Sequence, residues 1–315
     1  FPADYNRVVL AHAPSNTTND IVYILGETIG AGFQDHSFWK LTYNAAATTP
    51  ATWVDRSQNL PEGGDGDTDV NGYNSQGSYN MVIKVAPDNE NMVFIGGTNL
   101  LRSDDAFATK ASPLSVGKST DESKTYWIGG YATENNISQY PNHHPDVHAL
   151  VFKNDNATLL CGHDGGISIT NNYKQTDDTF SETAGDKSMP VDWEFLNNGY
   201  LTTQAYTVAV DNDIRTNKVL LSGFQDNGTW LAETSDPDKD WLAWGSGDGS
   251  YCSIFNLGTS IYSSSQSGTT YLENNVTDEA SYYWTRVDPE GATGQLFINP
   301  FIEDANNSEI LYYAA

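Results

Sequence analysis

Basic side chains are scarce in this chain: 15 Lys and Arg stand against 41 Asp and Glu, a net charge of −26. A field of that sign repels phosphate backbones and anionic headgroups, which argues against nucleic-acid or membrane-surface partners. It suits solubility, cation binding or a salty exterior. Long apolar runs are missing as well. No stretch approaches the roughly 20 residues that cross a bilayer, so no membrane insertion is expected. There are two cysteines, Cys161 and Cys252, too few for a disulfide framework. Both sit in strand-like runs and read as buried thiols. The chain opens "FPADYNRVVL", with neither an initiator Met nor a signal peptide, and reads as a processed chain or part of a longer one. Helix formers are sparse.

What is present is Gly (27), Tyr (18) and abundant Asn, Thr and Ser, the composition of short strands and many turns. Six N-x-S/T sequons, at Asn16, Asn136, Asn156, Asn227, Asn275 and Asn306, are glycosylation acceptors in a eukaryotic secreted protein or chance in so polar a chain. Six segments repeat one pattern: "APSNTTNDIVYILGET", "VAPDNENMVFIGGTN", "FKNDNATLLCGHDGG", "AVDNDIRTNKVLLSGFQDNG", "FNLGTSIYSSSQSG" and "PFIEDANNSEILYYAA". Each has an Asn/Asp-rich turn, three to five apolar residues, then small residues: a strand, a turn and a second strand ending in a bend. The spacing of roughly 40 to 70 residues suits four-stranded sheets that bury their faces by stacking around an axis. The expectation is an all-β chain, a β-propeller over 1–315, with successive blades at roughly 1–60, 79–140, 145–200, 201–248 and 249–295 and an incomplete one at 296–315.

Several motifs carry a family resemblance: "FWKLTYN…TWVDRSQNLP", "NGYNSQGSYNMVIKVAPDNENMVFIGGTNLLRSDDAF", "HPDVHALVF", "GHDGGI…DWEFLNNGYLTTQAY", "GFQDNGTW" and "LFINPF". Along almost its whole length the chain resembles the bacterial Asp-box (BNR), sortilin-like and xyloglucanase-like propellers. In that family a box S-x-D-x-G-x-x-W/F closes the outer hairpin of a blade, its Asp capping backbone N–H groups above a packed aromatic. The boxes here are eroded. "RSDDAF" keeps Ser103, Asp105 and Phe107 but has Ala106 in the Gly place; "LTYNAAATTPATW" has Tyr43 in the Asp place; "SITNNY" has Asn171 or Asn172, then a long insertion before Trp193. With about six blades visible, the resemblance implies a larger seven-bladed ring or a second propeller.

Within the repeats, "GHDGG" (162–166), "GFQDNG" (223–228) and "GSGDGS" (245–250) set an acid among glycines. Asp164 and Asp226 read as shapers of equivalent turns, since Asp bonds nearby backbone and Gly supplies positive φ. As the catalytic alternative, Asp146, Asp164, Asp226 and Asp248 supply carboxylates for glycoside hydrolysis, which needs two of them about 5 to 10 Å apart. Nothing in the sequence selects a pair. "NHHPDVHAL" places His144, Asp146 and His148 at alternate positions; on one strand they would converge, either on a transition metal or in a structural hydrogen-bond network. "DTDVNGYNSQGS" matches the first half of a calcium loop: Asp67, Asp69 and Asn71 as oxygen donors, Tyr73 through its carbonyl and Gly72 at the bend. Position twelve is Ser78 instead of Glu, so Asp65 or another segment must finish the shell; a solvated acidic loop is the plainer reading. Trp127, Trp230, Trp241 and Trp244 lie near predicted loops and offer a sugar-stacking platform, although most large aromatics pack cores.

No motif requires a cofactor, and calcium is the metal the loop motif favours. Five Arg, none in the family's arginine motif, make a sialidase a weak reading, and G-x-S-x-G, P-loop and CxxC patterns are missing. The expected function is a secreted or cell-surface module that binds a glycan, a surface polymer or a protein without catalysis. The alternatives are a glycoside hydrolase with two carboxylates in a central cleft and a calcium-stiffened segment of a large adhesin.

Overall fold

The computed structural model describes residues 1–315 apart from 33, 62–71, 111–123, 133–135, 177–188, 201–202, 212–218, 233–237, 239, 279 and 305. Among the described residues the chain is all-β, its helical content limited to two single-turn 3-10 segments, Ser57–Asn59 and Gln266–Gly268. It divides into two compact units, Phe1–Tyr200 and Leu201–Ala315.

The first unit holds three four-stranded sheets, each an antiparallel meander in chain order. They are β1 (Arg7–His12), β2 (Asp20–Glu27), β3 (His36–Tyr43) and β4 (Ala51–Asp55); β5 (Val82–Ala86), β6 (Asn89–Gly96), β7 (Leu100–Ser103) and β8 (Thr125–Gly129); and, after a ribbon of β9 (Tyr131–Ala132) with β10 (Asn136–Gln139), β11 (Val147–Phe152), β12 (Leu159–His163), β13 (Gly166–Thr170) and β14 (Glu194–Phe195). The second unit has two such sheets: β15 (Ala205–Val210), β16 (Leu220–Phe224), β17 (Gly228–Ala232) and β18 (Leu242–Gly245); and β19 (Cys252–Phe255), β20 (Ser260–Ser264), β21 (Thr270–Asn274) and β22 (Tyr283–Arg286). A ribbon of β23 (Phe301–Asp304) with β24 (Asn307–Tyr313) follows.

The repeated pattern has a local cause. In the turns before β2, β12 and β24, an Asn or Asp side chain caps the backbone that leads into the strand. Asn16 Oδ1 accepts from the amides of Thr18 and Asn19, Asp155 Oδ1 from Ala157 and Thr158, and Asp304 Oδ1 from Asn306 and Asn307. The apolar run is most deeply hidden in β6, where Met92 to Gly96 are all buried, whereas β24 stays largely exposed. First strands sit differently. In the first unit β5 lies beside both β1 and β11, and in the second β15 lies beside β19. A groove of about 390 Å³ runs along them, lined by Leu10, His12, Lys84, Val151 and Phe152.

The core of the first unit is aromatic. Tyr23 stacks on Phe38, Phe38 meets Phe107 edge-on at 5.0 Å, and Phe94 meets Tyr173 at 5.7 Å. Arg102 is fully buried within it, bound to Asp104 through Nε (2.9 Å) and to the Tyr173 carbonyl through Nη1 (2.6 Å), with its guanidinium over the Tyr126 ring. Ser103 to Phe107 form the box-like turn: Asp105 accepts from the amides of Ala108 and Thr109, and Phe107 is buried beneath. Ala106, in the glycine place, has φ +55, the left-handed conformation that glycine takes without strain. The second unit has a smaller apolar cluster among its described residues, Val219, Leu221, Leu231, Ile261 and Val276 with Trp244 and Cys252 against them, and also buries Ala232, Tyr262 and Phe301. Both cysteines are free thiols; Cys161 is fully buried, which raises its pKa, whereas Cys252 is only half-buried.

Candidate functional site

The acids among the glycines do sit in corresponding turns. Asp164 and Gly165 connect β12 to β13, and Gln225 to Asn227 connect β16 to β17 with Asp226 at φ +57. Asp164 also reaches to other segments: Tyr79 Oη donates to its Oδ2 at 2.9 Å, and His148 Nε2 lies 2.7 Å from its Oδ1. The Tyr79 and His148 rings meet edge-on at 4.9 Å. The hydrogen bond to Asp164 raises the His148 pKa against the opposing effect of burial. In the second unit the Asp226 amide donates to Asp248 Oδ1 (3.0 Å), and the Asp248 amide donates to Gln266 Oε1.

His144, Asp146 and His148 do not form the alternating set expected of one strand. The ladder of β11 starts at Val147 and Asp146 stands at φ +64, so two of the three precede the strand and alternation does not aim them together. Their contacts diverge. Asp146 Oδ1 accepts from Gln76 and Asn80 at 2.5 Å each, the His144 ring neighbours that of His163, and His148 turns to Asp164. Among the described residues no group of three or more His, Cys, Asp or Glu is placed to hold a metal ion. Asp67, Asp69 and Asn71 of the calcium motif lie outside the described residues, as does Asp65. Tyr73 is buried with its hydroxyl 3.3 Å from the Gly96 carbonyl, and Ser78 donates to Glu27.

The four tryptophans separate. Trp127, on β8, is 2% exposed and packs edge-on against Tyr140, so its ring has no free face for a sugar. Trp230 is half-buried and donates to the Asn227 carbonyl. Trp241 is 37% exposed beside Phe224. Trp244 lines a cleft of about 310 Å³ in the second unit.

That cleft is built by alternation across two sheets. Thr229 of β17 and Trp244 of β18 form one side. On the other, Tyr271 and Glu273 share a face of β21, and Trp284 of β22 pairs directly with Glu273 in register. Glu273, 5% exposed, ties the walls together: its Oε2 accepts from Trp244 Nε1 and Tyr282 Oη at 2.6 Å each, and its Oε1 accepts from Ser263 Oγ at 2.5 Å. Burial, with the Glu273 carboxylate next, raises the Tyr282 pKa, so this phenol stays a donor at physiological pH. Trp244 and Tyr282 stand perpendicular with centroids 5.6 Å apart; Trp284 meets Tyr271 edge-on at 5.4 Å and remains 59% exposed. Ser246, Ser264 and Ser265 complete the lining. The arrangement joins a fixed aromatic corner, an exposed indole and a row of hydroxyls. Tyr271, Glu273, Tyr282 and Trp284 were not singled out from sequence, although "TYLEN" carries the two-residue spacing that puts Tyr271 and Glu273 on one face of a strand.

A scan against protein-family models finds no match to this chain, and a search of curated proteins finds none either.

Proposed function

We propose that this chain is a β-propeller module of the Asp-box and sortilin-like kind that binds a carbohydrate outside the cell, without catalysis, through the cleft of the second unit. Two observations favour radial blades: five of the seven sheets among the described residues are four-stranded meanders, and first strands of successive four-stranded sheets within each unit lie side by side. The observation that carries the function is the cleft's lining. Aromatic rings facing solvent match the apolar faces of a sugar, and flanking hydroxyls match its edges. Glu273, the single carboxylate among the described residues lining the cleft, is occupied by three donors. Hydrolysis by paired carboxylates requires a second one across the bond. Secretion is the setting in which an acidic, glycan-binding module works, and polysaccharide at a cell surface is the partner.

The hydrolase reading has Asp146 and Asp164 in the first unit and Asp226 and Asp248 in the second as its carboxylates, and no pair is selected. Asp146 and Asp164 are already committed to neighbouring side chains, and Asp248 accepts from the Asp226 amide, which supports a bracing role.

The test is titration with soluble oligosaccharides, followed by intrinsic tryptophan fluorescence and calorimetry, with reducing ends assayed in parallel. Saturable binding without new reducing ends is expected. Steady release of reducing sugar, abolished by Asp146→Ala or Asp164→Ala with the fold intact, overturns the proposal in favour of a hydrolase.

A further inference from the structure

We infer that the cleft of the second unit selects uncharged saccharides and that Glu273 is the residue that rejects acidic ones. This rests on the carbohydrate reading of the cleft. Glu273 lies on the wall and is nearly buried, with its three hydrogen bonds supplied by Trp244, Tyr282 and Ser263. No Lys, Arg or His stands among the described residues lining the cleft. Arg286, opposite Tyr271 in register, has its guanidinium engaged by Asp288 through Nε (2.7 Å) and Nη2 (3.0 Å). A uronate entering this cleft would lose water, meet a negative charge and gain no counter-charge, and like charges brought together in a contact repel. A neutral sugar meets rings and hydroxyls alone.

The hydrogen-bond pattern makes Glu273→Gln a clean probe. A glutamine whose carbonyl takes the Oε2 position still accepts from Trp244 and Tyr282. Its amide then faces Ser263, whose hydroxyl can accept as readily as donate. The walls keep their geometry while the charge is removed. The net charge of −26 also disfavours anions, but this substitution changes it by a single unit, so any change in selectivity reports the local carboxylate.

The experiment compares neutral glucan oligosaccharides with the same oligosaccharides oxidised at C6 to uronates, against the wild type and Glu273→Gln. Binding is read by tryptophan fluorescence and calorimetry, at low and at high salt. The wild type should bind the neutral ligand roughly tenfold or more tighter, and the preference should persist at high salt because a buried charge is poorly screened. Glu273→Gln should shrink the preference to threefold or less. A wild type that binds both ligands equally, or an unchanged preference in folded Glu273→Gln, overturns the inference while leaving carbohydrate binding standing. Failure of both oligosaccharides to bind the folded wild type overturns the carbohydrate reading and this inference together.

Discussion

The two units are made from the same four-stranded meander and filled in opposite ways. The first, Phe1–Tyr200, turns its aromatics inward around a buried arginine and contains all six histidines of the chain. The second, Leu201–Ala315, has no histidine, hides few apolar side chains, and buries Ser260, Ser263, Ser264 and Thr270 in their place. Tyr262 and Phe301 are buried there, but Tyr283 and Trp284 are both more than half exposed. Apolar burial stabilises in proportion to area, whereas a hydrogen bond nets only about 1 kcal/mol but fixes direction. Matched backbones therefore serve two ends. The first unit gains stability from packing, and the second holds a set of rings at fixed angles where a ligand can reach them.

The sharpest break in that comparison is Arg102. Its guanidinium joins Asp104 beside β7 to the Tyr173 carbonyl after β13, inside an aromatic core. Arg102→Ala leaves Asp104 without its partner and opens a void, at an expected cost of about 3–5 kcal/mol. Chemical denaturation measures the loss, and hydrogen exchange should locate it in β6, β7 and β13. A loss under 1 kcal/mol would mean that the first unit does not depend on this core.

Acid provides the next largest effect, and its histidine part should act on the first unit alone. His163 is buried beside His143, and burial lowers its pKa to about 4. Burial also lowers the His143 pKa well below its usual value, with His163 adding to the effect. Between pH 6.5 and 4 the unfolded chain takes up a proton that folded His163 refuses. Stability should therefore fall as pH drops, by about 1.4 kcal/mol per pH unit for this one group. His148 runs the other way. Its raised pKa means that its contribution is complete below pH 6.5 and is lost as pH climbs through the folded value. Its partial exposure makes that contribution the smaller of the two. Histidine titration by NMR, alongside melting temperatures from pH 4 to 8, checks both signs. Acid melting that begins in β19–β22 would contradict the assignment.

The tryptophans sharpen the contrast further. Trp284→Ala removes an exposed ring, so saccharide affinity should fall by roughly 1–2 kcal/mol, about 5- to 30-fold, with little change in stability. Trp127→Ala should reverse the outcome, costing about 3–5 kcal/mol of stability because it empties the core of the first unit. Paired affinity and melting measurements distinguish the two; equal loss of stability in both variants would erase the difference between the units.

The sequence made the sheets legible because their turns are chemically local. An Asn or Asp caps the amides two or three residues on, and an apolar run follows, so each repeat declares itself within about fifteen residues. The cleft was less legible because its corner depends on which faces oppose across β18, β21 and β22. Trp127 and Trp244 look alike as letters, and only packing makes one a core residue and the other a wall. "HPDVH" left two readings open for a related reason. Alternation holds only inside a strand, and the left-handed Asp146 lies just before one.

Ala106 gives the smallest predicted effect and the most direct test of how the eroded box is held. It sits at φ +55, with Phe107 beside it at φ +58, in a turn tied by the Phe107 amide to Ser103 Oγ and by two amides to Asp105. A non-glycine residue in the left-handed region is strained by roughly 1–2 kcal/mol, and glycine relieves this at the cost of a more flexible unfolded chain. The Ala106 side chain is completely buried, so its methyl also contributes packing, about 0.8 kcal/mol for one carbon. Strain relief is opposed by both the entropy and the lost methyl, so Ala106→Gly should change stability by no more than about 1 kcal/mol. Asp105→Ala removes two amide acceptors and should cost more, about 1–2 kcal/mol. If Ala106→Gly proves the more damaging of the two in denaturant titrations, the turn is held by the packed methyl and the aspartate is incidental to it.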